Sequence, residues 1–92
     1  MNIIIVGAGS VGFTAAEALS KVHDVLIVEE SPSRAEFAKS LLNVSVLCDN
    51  GTNPRVLESA IRRHKAEAVI ASTSRDDSNL FVCLMAKRVS PK

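Results

Sequence analysis

Tryptophan and tyrosine are absent and phenylalanine occurs only three times. The chain therefore offers no array of aromatic faces on which nucleic-acid bases could stack. Charge is nearly balanced at a formal +1, so no electrostatic argument favours nucleic acid or an anionic membrane. The longest apolar runs, near 3–8 and 80–86, fall far short of the ~20 residues a membrane-spanning helix needs. No basic stretch or cleavage site marks the N-terminus, which reads as a core strand and not a signal peptide. Cys48 and Cys83 lack metal-ligand spacing and fit a reduced cytosolic protein. No linker, repeat or low-complexity stretch divides the 92 residues, and 1–92 reads as one globular domain.

What is present is concentrated at the start. Ile3-Ile4-Ile5-Val6 is a β-branched run of the kind that suits a parallel strand buried on both faces. It leads directly into Gly7-Ala8-Gly9-Ser10-Val11-Gly12, a Gly-x-Gly-x-x-Gly turn, and helical spacing follows. Gly7 allows the sharp turn off the strand, Gly9 leaves room for a diphosphate, and Gly12 lets the helix pack closely on the sheet. The helix start presents N–H groups and partial positive charge to an anion. No carboxylate occurs from Ser10 to Phe13, whereas the last helix opens with Asp76-Asp77, which would repel a phosphate. The diphosphate therefore belongs on the first helix.

Taken in order, Val11, Ala15, Ala18, Leu19 and Val22 fall on one face of that helix. A second strand, Asp24–Val28, ends at Glu29-Glu30, and Ser31-Pro32 gives an N-cap with proline at the first helical position. Ala35, Ala38, Leu41 and Leu42 face inward from the helix so opened. Val44–Leu47 is a third strand, followed by the turn residues Cys48-Asp49-Asn50-Gly51. Asn53-Pro54 repeats the cap signal for a helix whose inner side is Leu57, Ala60, Ile61 and His64. Ala68–Ala71 is the fourth strand, and Ser74-x-x-Asp77 resembles a capping box opening a last helix to about Val89. The pattern predicts an α/β, Rossmann-like parallel sheet of order 3-2-1-4 with helices on both faces. Its crevice lies between strands 1 and 4. The usual sheet of this kind has further strands, so strand 4 is expected as an unpaired edge of a truncated sheet. In the last helix, Leu80, Cys83, Leu84 and Lys87 form one face. Phe81, Val82, Met85 and Val89 form a second, suited to self-association or to residues beyond the chain.

Glu29 stands where an acid accepts hydrogen bonds from both ribose hydroxyls of adenosine, and Glu30 adds charge that rejects a 2′-phosphate. The expected ligand is NAD(H). Arg34, one turn into the second helix, is placed to meet adenosine or phosphate, and Asp49 to meet the base or ribose. Thr73 and Ser74 fall near a second phosphate or the second ribose. No catalytic constellation or metal cluster assembles: His23 and His64 read as structural, Cys48 lacks a histidine partner, and Cys83 reads as core or interface.

Across its whole length the chain resembles the nucleotide-binding N-terminal domain of Trk/Ktr potassium-uptake subunits. This is the KTN or RCK domain, found also on potassium channels and efflux antiporters. The stretches that carry the resemblance are Ile3–Gly12 with Glu29, Ser31-Pro32-x-Arg34, Asp49 with Thr52-x-Pro54-x-x-Leu57, and Ala68-Val69-Ile70-Ala71-x-Thr73. The most specific is Asp76-Asp77-x-Asn79-Leu80 running into Cys83-Leu84-x-Ala86-Lys87. Starting at Met1, the chain is similar to a free-standing regulatory subunit. The resemblance implies a non-enzymatic cytoplasmic sensor of NAD(H), with ATP or ADP as alternatives. Such a sensor forms a dimer or ring on a membrane potassium transporter at the inner face of the membrane and does not itself insert. It implies a ligand site of Gly7, Gly9, Ser10, Val11, Gly12, Glu29, Arg34, Asp49 and Thr73. Two departures fall on the adenosine side. Cys48-Asp49 replaces a frequent Gly-Asp and is followed by one extra residue, and Ser31 replaces a second acid. The competing readings are the cofactor half of an NAD-dependent oxidoreductase and an interaction module with an empty crevice.

Overall fold

Alternating apolar strands and capped helices produce one four-stranded parallel sheet in the computed structural model, which describes residues 1–75, 78, 79, 83, 84, 86 and 87. The elements are β1 (Asn2–Val6), α1 (Ser10–Leu19), β2 (Asp24–Glu29), α2 (Pro32–Leu41), β3 (Ser45–Cys48), α3 (Pro54–His64) and β4 (Ala68–Ala71). The strand order is β3-β2-β1-β4, as the sequence predicts. Register aligns Val6 with Val28 and Ala71, and Glu29 with Cys48, so the carboxyl ends of all four strands reach one rim.

The alternation of β1 divides the core. Ile3 and Ile5 pack with Val25, Ile27, Ala16 of α1 and Ala38 of α2 on one face. Ile4 and Val6 pack with Val28 and with Leu57, Ala60 and Ile61 of α3 on the other. A strand buried on both faces has no polar side to spare, which is why β1 is isoleucine and valine from Ile3 to Val6. Pro32 and Pro54 occupy the first turns of α2 and α3. The Ser31 hydroxyl accepts from the Arg34 N–H at 3.4 Å and Asn53 Oδ1 from the Arg55 N–H at 3.0 Å, so both predicted caps form. His64 serves the fold, its Nε2 lying 3.1 Å from the Asp24 carbonyl oxygen.

Several expectations are corrected. The inner face of α1 is Gly12 and Ala16, flanked by Phe13, Ala15 and Leu19, while Val11 is 71% exposed and Val22 77% exposed. Close approach of helix to sheet selects the smallest residues for the contact, and Val22 lies beyond the helix end. Ala18 is exposed too. Leu41 is exposed, and Leu42 instead turns in at the end of α2. The third strand starts at Ser45 and extends through Cys48, because pairing with β2 runs from Leu26 to Glu29. Beyond β4, Ser78, Asn79, Cys83, Leu84, Ala86 and Lys87 are helical. Ala86 packs against the α3-side core, whereas Cys83, Leu84 and Lys87 are exposed. Asp76, Asp77, Leu80 and the second face of Phe81, Val82, Met85 and Val89 lie outside the described residues. Among the described residues β4 pairs only with β1, as expected of an edge.

Candidate nucleotide site

At the rim where the strands end, β1 turns into α1 through three glycines with separate duties. Gly7 has φ +103°, and a Cβ there would meet the Ser72 carbonyl oxygen at 2.8 Å. Glycine is required on both counts. A Cβ on Gly12 would stand 2.1 Å from the Gly7 carbonyl oxygen and 2.5 Å from Ser72 Oγ. This glycine therefore sets how closely α1 approaches the sheet. Gly9 is different, because a Cβ on it would have no heavy atom within 4 Å. It caps α1 in an extended conformation without a side-chain hydrogen bond, and no acidic residue occupies the first turn. The first N–H groups of α1 have no carbonyl of their own helix to bond. They stand beside open space, as an anion site needs.

That space is a cavity of about 630 Å³. Gly7, Gly9, Ser10 and Val11 line one wall, and Glu29, Glu30 and Arg34 a second. Asn50, Gly51 and Thr52 follow β3, and Ser72 to Arg75 with Ser78 form the far wall after β4. Of the residues predicted from sequence, Gly7, Gly9, Ser10, Val11, Glu29, Arg34 and Thr73 are thus brought together. Gly12 is buried behind the loop, where it acts on packing. Asp49 is not among the lining residues. Its Oδ1 accepts from the Asn50 N–H at 2.7 Å, and its N–H donates to the Glu29 carbonyl at 3.1 Å.

Glu29 is 6% exposed, and both carboxylate oxygens are engaged. Oε1 accepts from the Ala8 N–H at 2.7 Å and Oε2 from the Ser31 N–H at 2.8 Å. The carboxylate thereby joins the glycine loop to the start of α2. Each oxygen keeps a further acceptor position, so the side chain is held at the rim and still able to accept from a ligand hydroxyl.

Sequence reasoning missed the remaining wall. Asn50 Oδ1 accepts from the Thr52 N–H and hydroxyl at 2.9 and 2.6 Å, a side-chain turn that the Asn-Gly dipeptide could have indicated. Gly51 is buried against Val6 and Val28, closing the floor. The Ser72 hydroxyl lies 3.1 Å from both the Val6 and Gly7 carbonyl oxygens and binds the β4 end to the glycine loop. No local signal marks that serine. The expected capping box of Ser74 and Asp77 falls on a residue outside those described. The contact found instead joins Thr73 to Asn79, whose Oδ1 accepts from the Thr73 N–H at 2.9 Å. Among the described residues no group of histidine, cysteine and acid could hold a metal ion.

Residues 3–92 match the TrkA-N domain family. A Trk system potassium uptake protein TrkA homolog of Pyrococcus abyssi is 40% identical over 100% of this chain and 40% of its own length. Its counterpart in Archaeoglobus fulgidus is 40% identical over 100% of this chain and 21% of its own. The chain thus spans well under half the length of these relatives. Among solved structures, the Bordetella bronchiseptica enzyme WbmG in complex with NAD and UDP superimposes with a TM-score of 0.77 at 23% identity. That match covers 97% of this chain and 34% of WbmG. UDP-glucose 4-epimerase of Thermotoga maritima superimposes with a TM-score of 0.74 at 14% identity, over 98% of this chain and 35% of the epimerase. At such identities the likeness is one of fold. The chain belongs to the TrkA-N domain family.

Proposed function

We propose that this TrkA-N domain is a regulatory module of potassium uptake that binds NAD(H) in the rim cavity. Its ligand state would then control a membrane potassium transporter. The observation that carries the reading is the open space over Gly9 at the start of a helix with no acid in its first turn. The Glu29 carboxylate shares that cavity. In this assignment the N–H groups of Ser10 and Val11 hold the diphosphate and Glu29 accepts from the adenosine ribose. Arg34 and Thr73 flank the ligand from opposite walls, and Asp49 supports the loop beside the base. ATP and ADP share the adenosine and phosphate groups and are the natural competitors. The role is binding rather than catalysis. The partner is a transporter subunit reached from the cytoplasm, with the domain acting as a dimer or ring. The names of the TrkA relatives support the potassium-uptake assignment. No helix among the described residues is long and apolar enough to cross a membrane. A ligand can shift such an assembly only by binding its two states unequally.

Calorimetric titration of the chain and of Gly9→Val with NAD⁺, NADH, ATP and ADP tests the assignment. Binding that the substitution abolishes while the fold stays intact is the expected outcome. A folded wild-type chain that takes none of the four overturns it.

A further inference from the structure

We propose that Asn50 is a site of spontaneous covalent modification, at which the fold promotes ring closure with Gly51 and so places a new carboxylate in the cavity wall. The chemistry stands on the loop alone, and its consequence for a ligand rests on the nucleotide reading above. Asparagine is a chemically labile residue, because the nitrogen of the next residue can attack its Cγ and close a cyclic imide. The chain has five asparagines, and the residue that follows each decides which can react. Asn53 precedes Pro54, whose nitrogen carries no proton to lose. Asn2 and Asn43 precede the β-branched Ile3 and Val44, and Asn79 precedes Leu80. Asn50 alone precedes a glycine, whose nitrogen no side chain shields.

Packing keeps Gly51 a glycine, since a Cβ there would meet Val6 Cγ1 at 2.6 Å. Asn50 is exposed, and its Oδ1 accepts from the Thr52 N–H at 2.9 Å and from the Thr52 hydroxyl at 2.6 Å. Such a turn folds the carboxamide forward over the next peptide. Among the described residues the Gly51 N–H has no acceptor to give up. Solvent hydroxide takes the Gly51 amide proton, the nitrogen bonds to Asn50 Cγ, and the carbonyl electron pair moves to Oδ1. The two Thr52 donors stand where that negative charge develops. Collapse breaks the Cγ–Nδ2 bond, and Nδ2 takes a proton from water and leaves as ammonia. Water then opens the imide. Attack at Cγ gives aspartate, and attack at the main-chain carbonyl gives isoaspartate, which lengthens the backbone by a methylene.

Among the described residues the charged groups lining the cavity are Glu29 and Glu30 with Arg34 and Arg75, two acids against two cations. Conversion of Asn50, which lines it too, tips that balance to the acids. Isoaspartate also shifts Gly51 from the floor it forms with Val6 and Val28. Both changes disfavour a phosphate-bearing ligand.

The test is incubation of the 92-residue chain, Thr52→Val, Thr52→Ser and Asn50→Gln at mildly alkaline pH, read by peptide mass spectrometry with isoaspartate detection. Asn50 is expected to convert ahead of the other asparagines, and Asn50→Gln to abolish conversion at that position. Thr52→Val, which removes one donor to Oδ1, should slow conversion about tenfold, and Thr52→Ser should restore it. Faster conversion in Thr52→Val means that the turn shields the carboxamide, and it overturns the proposal. So does a wild-type chain in which Asn50 is no more labile than Asn43. If Thr52→Val does not fold, the wild-type chain in buffer and in urea decides the same point. Faster conversion in the folded chain supports promotion by the fold, and slower conversion overturns it. Asn50→Asp, the product itself, should bind NAD⁺ about fivefold more weakly than the wild type. Unchanged affinity overturns the consequence for the ligand. A wild-type chain that binds no nucleotide overturns the nucleotide reading, while the mass spectra still judge the modification.

Discussion

Gly7 and Gly12 lie so close that the Gly7 carbonyl oxygen would stand 2.1 Å from a Cβ on Gly12. The obstacle is backbone, which cannot rotate aside as a side chain can. Gly12→Ala should lower the free energy of unfolding by about 3 kcal/mol, the upper range for overpacking. Gly9→Ala, at a cap position facing open space, should cost less than about 1 kcal/mol. Urea denaturation of the two variants side by side separates the glycine that serves the fold from the one assigned to the ligand. Equal losses would refute that division.

Glu29 holds two N–H groups, from Ala8 and Ser31, in a nearly dry setting. In Glu29→Gln one of them faces an amide NH₂ and loses its acceptor. Stability should fall by about 2 kcal/mol, and NAD⁺ affinity with it. A thermal melt at wild-type temperature would show that these bonds do not hold the loop.

Glu29 and Glu30, which outnumber Arg34 on the β2 side, should set NAD⁺ above NADP⁺ by about two orders of magnitude, since a 2′-phosphate would meet like charge. Replacing the exposed Glu30 by arginine should narrow the gap mainly by improving NADP⁺. Competition titration of the two dinucleotides decides it, and equal affinity in the wild-type chain would contradict the assignment.

Leu57 and Glu58 are neighbours on α3 with opposite fates. Leu57 is fully buried against Ile4 and Val6, and Leu57→Ala should cost about 3 kcal/mol. Glu58 forms an exposed pair with Arg62 at 3.2 Å, and Glu58→Ala should cost less than about 0.5 kcal/mol. Chemical denaturation of both variants checks the contrast.

The fold was legible because its signals are local. β-Branched runs mark β1 and β2, while Ser31-Pro32 and Asn53-Pro54 mark the starts of α2 and α3. The glycine spacing also located the turn that lines the cavity. On α1 the glycine spacing marked Gly12 and periodicity placed Ala15 and Leu19, but hydrophobicity also pointed to Val11 where close packing selected Ala16. Position at the end of β3 suggested Asp49 for the site, and the cavity is lined there by Asn50 to Thr52. Ser72 and Asn79 were invisible as site residues for a different reason. The partners of Ser72 are carbonyls 65 and 66 positions away, and the bond of Asn79 to Thr73 depends on where the sheet ends.

The placement of β1 between β2 and β4 has a consequence for amide hydrogen exchange. To release the β1 amides the chain must break ladders on both sides, which amounts to global unfolding. Among the described residues the β4 amides depend on one ladder only, so they can exchange through a smaller, local opening. The two walls of the cavity should therefore differ in protection. The glycine-loop side should report the stability of the whole molecule, and the Thr73 side a lower one that bound ligand raises.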